Sequence, residues 1–535
     1  MVCPPPIFRV LGALVLGGEI MKVQRTTKTP RHQGTELCDC RAVTCLLFLV
    51  SWCLGGETIK VLLTLCAAAA TISAAEPIRL HPDNPHYFLF RGKPTVLVTS
   101  GEHYGAVINL DFDYKKYLAA LEAAGLNHTR TFAGAYREIP GSFNIPNNTL
   151  APEPDRFICP WPRTETPGAK DGGNKFDLTK WNEAYFRRLR AFMEEASRRG
   201  IVVEINLFCP FYEDVLWEVN PMNAVNNVNG IGGLQRTEAL NLKDTRLLAV
   251  QEAMVRRIVT ELKNFGNLYY EICNEPYFGG VTLEWQAHIS KVIDGTEGSF
   301  PARHLISQNI ANGSVRVDHP NPLVSLFNFH YSRPPESVAL NYELGRAIGN
   351  NETGFDGLAD STYRIQGWDF LMAGGALYSN LDYSFTAGHE DGSFLVPPSA
   401  PGGGSPALRR HLKILRDFFE SLDFIRMSPA SGVIRGGVPA DASARALAEA
   451  GRTYAVYLHH GRIDAKAKPR YQVPATPQRV TLALGLPAGS YAASWLNTKT
   501  GEYEKTEKLA HGGGAKDLVS PSYTEDIALV VRAVK

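Results

Sequence analysis

The sequence has almost no net charge, because 55 lysines and arginines face 54 aspartates and glutamates. This balance gives no electrostatic reason to expect nucleic acid or an anionic membrane surface as a partner. Charged residues make up 20% of the chain and apolar residues 44%, which are ordinary values for a globular protein. The chain has 535 residues, enough for a large core, and we expect two folded domains.

Cysteine is scarce beyond residue 75, where only Cys159, Cys209 and Cys273 occur. Cys209 and Cys273 follow neighbouring predicted strands and could pair, although two buried free thiols are the expectation. Of the six earlier cysteines, Cys38 and Cys40 resemble half of a zinc site. No second Cys/His pair follows at zinc spacing, so we expect no metal there.

The sequence also lacks an apolar run of the roughly 20 residues that a membrane-spanning helix needs. The stretch IKVLLTLCAAAATISAA has a lysine, an apolar centre and small residues before Glu76. This pattern predicts a signal peptide at 59–75, cleaved after Ala75, and hence a secreted or periplasmic bacterial protein without stable membrane insertion. We interpret residues 1–58 as an extended leader or a mis-called start. An uncleaved anchor is the alternative.

Eight apolar runs alternate with amphipathic helices between residues 76 and 425. The runs are PTVLVTS, LNHTRTFAG, IVVEINLF, LYYEICNEP, HLISQNI, LVSLFNFHY, RAIGNNETG and GALYSNLDYSF. Such alternation predicts a parallel sheet, and eight units predict a closed (β/α)8 TIM barrel. A doubly wound open sheet is the alternative, but no glycine-rich phosphate turn follows the first strand.

The helical period ends near residue 426. The segment SAPGGGSP predicts a flexible loop before the helix ALRRHLKILRDFFESLDF, which would complete the barrel. After it, the runs TYAVYLHH, RVTLALGL, SYAASWLNTKTGEY and IALVVRAV alternate with Gly, Pro and Asn turns. We therefore predict a C-terminal antiparallel β-sandwich at 426–535 after a catalytic barrel at 76–425.

Acidic side chains follow two of the predicted strands at the point where each strand ends. The stretch NLYYEICNEPY carries Asn274 and Glu275 at the end of the fourth strand, and Glu352 ends the seventh. The carboxyl ends of barrel strands meet at one face, where barrel active sites form. Two carboxylates there suit cleavage of a glycosidic bond, in which one acid protonates the leaving oxygen and the other attacks or activates water.

Polar residues after other strands extend this candidate site. Arg130 follows the second strand and would lower the pKa of a neighbouring Glu352, to which Tyr331 could donate a hydrogen bond. The other predicted substrate-binding residues are Asn274, His103 after the first strand, Asn309 after the fifth, His330 after the sixth and Tyr383 after the eighth. A carboxyl separation of about 5–5.5 Å would make the enzyme retaining, and about 6.5–9.5 Å inverting.

The Asn-Glu-Pro ending of the fourth strand, with a second Glu ending the seventh, resembles the glycoside hydrolases of clan A, with family 5 (the cellulase and mannanase group) as the nearest type. The resemblance covers about residues 77–535. It implies a retaining enzyme that needs no cofactor, with Glu275 as acid/base and Glu352 as nucleophile. It further implies that Asn274 binds the sugar 2-hydroxyl, and it matches Arg130 and the His330–Tyr331 pair.

The sequence departs from this family pattern in two places. Family 5 places a Trp after the eighth strand as a sugar platform, where YSNLDYSF offers Tyr378 or Tyr383. The context NNETGFDG also differs from the usual Glu-Phe-Gly, so the sugar is not inherited from the resemblance. A carbohydrate-binding pseudoenzyme is the alternative function. A metal-dependent barrel hydrolase would need a His-x-His pair, which Glu102-His103-Tyr104 does not supply.

Overall fold

The computed structural model describes residues 76–464 and 466–534. The predicted leader, its signal peptide and the Cys38–Cys40 pair lie outside the described residues. Within the described residues, no helix is both long enough and apolar enough to cross a membrane.

A small antiparallel sheet precedes the barrel and consists of β1 (Arg79–Leu80), β2 (Phe88–Phe90) and β3 (Lys93–Thr95). Eight parallel strands then form the barrel, and a hairpin of β6 (Arg163–Pro167) and β7 (Asn174–Phe176) lies in the loop after the second of them. The barrel strands are β4 (Leu97–Gly101), β5 (His128–Phe132), β8 (Val202–Asn206), β9 (Leu268–Glu271), β10 (Ile306–Asn312), β11 (Leu326–His330), β12 (Ala347–Glu352) and β13 (Leu377–Leu381). All eight predicted strand segments are present, and the predicted barrel is confirmed.

The barrel closes between β4 and β5 through the side chain and the backbone N–H of one residue, Asn127. Hydrogen-bonded ladders run from β4 through β13 round to β5, in the order β4-β13-β12-β11-β10-β9-β8-β5. At the remaining seam, the Asn127 amide donates to Val96 O (2.8 Å), and its Oδ1 accepts from Val98 N (2.9 Å). Asn127 therefore makes hydrogen bonds that a continuous ladder between β4 and β5 would otherwise provide.

The helices cover the outside of the barrel. They are α1 (Tyr114–Ala123), α2 (Glu183–Arg198), α3 (Asp214–Glu218), α4 (Thr245–Leu262), α5 (Leu283–Glu297), α6 (Glu336–Asn341), α7 (Asp360–Met372) and α8 (Pro406–Glu420). In α2 the Asn182 side chain caps the first turn, and the apolar stripe that includes Tyr185, Leu189 and Phe192 is buried. The strands have helices on one side and the barrel interior on the other. This explains why most of them are buried along their whole length.

The chain beyond α8 forms antiparallel β-structure, as predicted. Its strands are β14 (Ser428–Pro429), β15 (Ile434–Gly436), β16 (Ala442–Glu449), β17 (Thr453–His460), β18 (Arg462–Ile463), β19 (Tyr471–Gln472), β20 (Thr481–Leu496), β21 (Tyr503–Val519) and β22 (Asp526–Ala533). Seven of these form one sheet, and β18 pairs only with β19. The boundary at residue 426 stays a prediction.

Strand β20 runs through a predicted turn. Pro487 and Gly489 indicated a break between two strands, yet the strand continues for 16 residues beside β21. Pro487 has no backbone N–H to donate, and beside it the partner strand contains Gly513 and Gly514, whose φ angles are positive; Gly514 pairs with Leu486. These glycines let the partner strand bend around the proline, so the ladder resumes on either side.

The alternation of side chains along the C-terminal sheet divides them between two cores. In β17, Tyr454, Val456 and Leu458 face a core within the sheet domain. The intervening Ala455 and Tyr457 join the core of the barrel. Successive strand residues point to opposite faces, so one strand serves both cores.

A buried ion pair joins α7 of the barrel to β22 of the sheet. Arg364 donates to Asp526 at 2.8 Å, and both side chains are almost completely buried. Tyr457 also donates a hydrogen bond to Asp526 (3.0 Å), and its ring stacks on Trp368 with centroids 5.3 Å apart. The ion pair and the stacked rings therefore both join α7 to the C-terminal sheet at this one contact.

Replacing Asp526 by alanine should lower the free energy of unfolding by up to about 3–5 kcal/mol, because Arg364 loses its buried carboxylate and keeps only the partly exposed Glu525. Urea unfolding of the purified chain measures this change. Asp423→Ala removes a carboxylate from the exposed pair with Arg426, and it should cost less than about 1 kcal/mol. Equal decreases in the free energy of unfolding of the two variants would contradict the larger contribution assigned to the buried pair.

Candidate active site

The carboxyl ends of the barrel strands surround a cavity of about 370 Å³. Aromatic rings form much of its wall and three carboxylates open into it. The lining residues are His103, Tyr104, Phe132, Tyr136, Glu138, Phe143, Cys209, Tyr212, Asn274, Glu275, Phe278, Asn312, Tyr331, Arg333, Glu352, Phe355 and Arg470. An aromatic concavity with a few converging polar groups is typical of a small-molecule or sugar site.

Glu275 and Glu352 approach each other across this cavity. His330 lies between them, with Nδ1 3.0 Å from Glu275 Oε1 and 3.4 Å from Glu352 Oε1. One oxygen of each carboxylate and a His330 ring nitrogen all lie within 4.8 Å of one another. The side chains of Glu275 and Glu352 are 10% and 8% exposed, so each retains one accessible edge.

Glu352 is surrounded by hydrogen-bond donors. It accepts from the hydroxyls of Tyr331 (2.7 Å) and Tyr104 (2.9 Å) and from Nη1 of Arg130 (3.1 Å). Burial alone would raise the pKa of this carboxyl, but the charges of His330 and Arg130 and the bond from Tyr331 hold it well below its usual range. Glu352 is therefore ionised at neutral pH.

Glu275 has a different set of neighbours. It accepts from the hydroxyls of Tyr212 (2.7 Å) and Tyr277 (3.2 Å), and no lysine or arginine contacts it among the described residues. Burial would lower the pKa of His330, but the charge of Glu352 and its hydrogen bonds with both carboxylates raise that pKa to about 9. His330 is thus a cationic donor placed between the two acids.

Arg130 lies beneath the cavity and is completely buried. Its Nε donates to Glu204 (2.5 Å), and its Nη2 donates to Glu271 (3.0 Å) and to Asn274 Oδ1 (2.9 Å). Nη1 donates to Tyr104 (2.7 Å) as well as to Glu352. All three guanidinium nitrogens have acceptors, so this one side chain fixes several residues of the site.

The acids below Arg130 do not share one protonation state. Burial and the charge of Glu204 raise the pKa of Glu271 to about 8, so Glu271 is largely protonated at neutral pH. Burial opposes ionisation of Glu204 too, but Arg130 outweighs it and lowers the pKa of Glu204. The buried cluster therefore keeps its charges close to balance.

Four non-glycine residues that line the cavity have left-handed backbone conformations. The φ angles are 56° at Tyr104, 55° at Phe143, 36° at Glu275 and 50° at Tyr331. Side chains larger than glycine rarely adopt such angles, and strained residues of this kind cluster at functional sites. Apart from Phe143, each is Glu275 itself or a tyrosine that donates a hydrogen bond to Glu352. The strain therefore coincides with the positions that set the geometry of the pair.

Five of the nine sequence-predicted residues line this cavity: Glu275, Glu352, Asn274, Tyr331 and His103. Two more, Arg130 and His330, are fully buried and hydrogen-bond to its carboxylates. His103 lies 3.3 Å from Glu138, which also accepts from Tyr136 (3.1 Å). Although burial opposes it, Glu138 raises the pKa of His103.

The structure does not bring Asn309 or Tyr383 to the cavity wall. Asn309 is buried within β10, 3.5 Å from Asn351 Oδ1, because that strand continues past an irregularity as far as Asn312. Asn312 lines the cavity instead and accepts from Tyr277 at 2.6 Å. Tyr383 is 2% exposed, and its ring packs beside Phe355 with centroids 6.1 Å apart.

Sequence reasoning missed several residues of the site. Glu204 and Glu271 stand inside the apolar runs IVVEINLF and LYYEICNEP. A carboxylate inside a buried strand needs a partner, and this signal points to Arg130. Tyr277 and Phe278 follow Asn-Glu-Pro directly, and Tyr104 follows His103. The contribution of Arg470 had no signal in the sequence, because it arrives from the C-terminal β-structure.

One group among the described residues could hold a metal ion: Glu275, His330 and Glu352. A metal would need the Nδ1 lone pair of His330, which a proton occupies when the imidazole is charged. The pKa of about 9 therefore favours a hydrogen-bonding role for His330 over a ligand role at neutral pH.

The raised pKa of His330 should make the folded protein less stable as the solution becomes alkaline. The folded state holds this proton up to about pH 9, whereas the unfolded chain releases it near pH 6.5. The stabilisation is thus fully present below about pH 6.5 and is lost as pH rises to about 9. Glu271, with a pKa of about 8, acts in the same direction.

Melting temperatures measured from pH 5 to 9.5 check this expectation. The wild-type decline should exceed that of His330→Gln, and the exposed His389→Gln should follow the wild type. Parallel curves for wild type and His330→Gln would show that His330 is not held in its charged form.

Sequence comparison finds no matching family model and no matching curated protein. Solved structures do resemble the chain. A candidate glycoside hydrolase from Bacteroides vulgatus has a TM-score of 0.60 at 14% identity, with 87% of this chain and 84% of that chain covered. A glycoside hydrolase of family 5 from the same organism has a TM-score of 0.55 at 13% identity, with 85% and 93% covered. At this identity the likeness concerns the fold: the chain has the barrel and C-terminal antiparallel sheet of glycoside hydrolase family 5 structures.

Proposed function

We propose that the protein is a retaining glycoside hydrolase that cleaves β-linked poly- or oligosaccharides, with Glu352 as nucleophile and Glu275 as acid/base. The observation that carries the proposal is the asymmetric pair of carboxylates. Both carboxylates contact His330, but Glu352 also accepts from one guanidinium and two phenols, whereas among the described residues Glu275 accepts in addition from two phenols only. A nucleophilic carboxylate must be ionised and a catalytic acid must carry a proton, so the two carboxyl groups need different surroundings.

The short separation of the pair supports retention of configuration. Retaining enzymes place the carboxyl groups about 5–5.5 Å apart, whereas inverting enzymes leave about 6.5–9.5 Å to admit a water molecule. The nearest oxygens of Glu275 and Glu352 lie within 4.8 Å of each other. This gap favours direct attack by Glu352 on the anomeric carbon.

The reaction proceeds in two displacements. In the first, Glu352 attacks the anomeric carbon while Glu275 protonates the departing oxygen, which leaves a glycosyl ester on Glu352. In the second, Glu275 removes a proton from water, and the water releases the sugar from Glu352. Tyr331 and Tyr104 hold the Glu352 oxygens in position throughout.

Sugar binding is assigned to the cavity wall. Asn274 is the proposed partner of the sugar 2-hydroxyl, and its orientation is fixed by Arg130 on one side and Tyr212 on the other. Phe143 and Phe278 are 38% and 43% exposed at the cavity, where their rings can stack on a sugar. They offer a stacking platform in place of the Trp that family 5 has after the eighth strand and this sequence lacks.

The signal peptide predicted at 59–75 leads us to propose in addition that the protein is secreted or periplasmic. A hydrolase of polysaccharides meets its substrate outside the cytoplasm, so the two proposals agree.

Glu275→Gln should lower kcat/KM by about 10²–10⁴-fold, because the leaving oxygen then lacks its acid. Glu352→Gln should lower it at least as far. Reducing-sugar release from β-glucans, mannans and xylans measures turnover, and proton NMR of the first-formed product reports its anomeric configuration. A product of inverted configuration would contradict Glu352 as nucleophile. Binding without turnover on every polymer would favour the pseudoenzyme.

Tyr331→Phe should lower kcat/KM by roughly tenfold to a hundredfold, because Glu352 loses a charge-assisted hydrogen bond. The same loss raises the pKa of Glu352, so the acidic limb of the pH–rate profile should move to higher pH. Tyr87→Phe removes a buried hydroxyl that lies outside the site and has no hydrogen-bond partner in the described part of the chain, and it should leave the profile unchanged. An unmoved acidic limb in Tyr331→Phe would oppose the assignment.

A further inference from the structure

The C-terminal β-structure contributes a residue to the cavity of the barrel. Arg470 lies directly before β19 and lines the cavity, as does Arg333, which follows β11. Both guanidinium groups bind one carboxylate, that of Asp356. The mechanism proposed above uses neither arginine.

The Asp356 cluster carries more positive than negative charge. The Asp356 carboxylate is completely buried, and it also accepts from Gln366 at 2.8 Å. Two guanidinium groups therefore share one carboxylate, which leaves one positive charge unmatched within the cluster. Arg333 is 8% and Arg470 28% exposed, and both line the cavity, so the unmatched positive charge attracts an anion there.

Both arginines also have unused donors. Apart from the bond to Asp356 through Nε, the side chain of Arg470 makes no hydrogen bond with the described residues. The Arg333 side chain is 8% exposed, and its Nη1 is buried with no hydrogen-bond partner among them. A guanidinium fork matches the paired oxygens of a carboxylate or sulfate.

The pair lies beside the reacting groups. The Arg333 guanidinium lies 5.0 Å from the centre of the Tyr331 ring, and the Tyr331 hydroxyl holds Glu352. A sugar in contact with Glu352 would therefore place a neighbouring substituent within reach of Arg333 and Arg470.

We propose that Arg333 and Arg470 bind an anionic substituent, a carboxylate or a sulfate, on the sugar chain that occupies the cavity. This inference rests on the proposed glycoside hydrolase function and adds the substrate class: an acidic β-linked glycan such as one that contains uronic acid. Arg470 makes the C-terminal β-structure part of the substrate site.

Binding measurements separate this inference from catalysis. The full chain with Glu352→Gln, which cannot form the glycosyl ester, is titrated calorimetrically with glucuronoxylan, polymannuronate and hyaluronan and with the carboxyl-reduced form of each. Carrageenan and its desulfated form provide the sulfate arm. At least one acidic polymer should bind about tenfold to a hundredfold more tightly than its neutral form. Added NaCl should weaken only the acidic form.

Arg470→Gln in the same background should remove the preference for the acidic form and leave binding of the neutral form unchanged. Arg470→Lys should keep part of the preference, because the charge remains without the fork. Lys466→Gln is the matched control: it removes one positive charge from an exposed position of the same loop, outside the cavity lining, and should keep the full preference. A melting curve for each variant confirms that it is folded.

Equal binding of acidic and neutral forms, no binding of any acidic polymer, or a preference that survives Arg470→Gln would overturn the inference. Turnover of neutral glycans by the wild type without any acidic preference would overturn it and leave the hydrolase standing. An Arg470-dependent preference for acidic polymers without turnover of any polymer would support the inference and overturn the proposed hydrolase function.

Discussion

A guanidinium group that is removed from water must find acceptors for all of its N–H groups, and the centre of this protein is organised around that requirement at Arg130. The acceptors come from barrel strands that are distant in sequence: Glu204 from β8, Glu271 from β9 and Glu352 from β12. Because the N–H groups of a guanidinium have a fixed planar geometry, each carboxylate can bind Arg130 in only one position. The same contacts tie three strands together, orient Asn274 and lower the pKa of Glu352, so stability and chemistry depend on one side chain.

Much of the barrel could be read from the sequence, because a strand that is covered on both sides must be apolar along its length. The eight runs therefore stood out, and the positions after them identified Glu275, Glu352 and Arg130. Bulges and irregularities are not visible in such a pattern. The irregularity in β10 moves the strand's end from the predicted Asn309 to Asn312, and Pro487 fails to end β20 because Gly513 and Gly514 compensate on the neighbouring strand.

Contacts between distant parts of the chain were less accessible to sequence reasoning. Glu204 and Glu271 gave a usable signal, since a carboxylate within an apolar run implies a buried cation. Arg470 gave none: it is one of many basic residues in a polar loop, and its place at the cavity follows only from how that loop meets the barrel. The predicted roles of Asn309 and Tyr383 assumed that every polar residue after a strand faces inward. Both side chains are buried instead, so the packing of the barrel decides which of these polar residues reach the cavity.

The division of β17 between two cores limits how this chain can be recombined. Ala455 and Tyr457 belong to the hydrophobic core of the barrel, where Tyr457 packs on α7, and the alternate residues Tyr454, Val456 and Leu458 belong to the core of the sheet. Cutting the chain after α8 would leave an apolar face on each fragment, open to solvent and to aggregation. The C-terminal β-structure is therefore no detachable module. We expect exchange of this part between proteins of the same fold to require the matching barrel face to be exchanged with it.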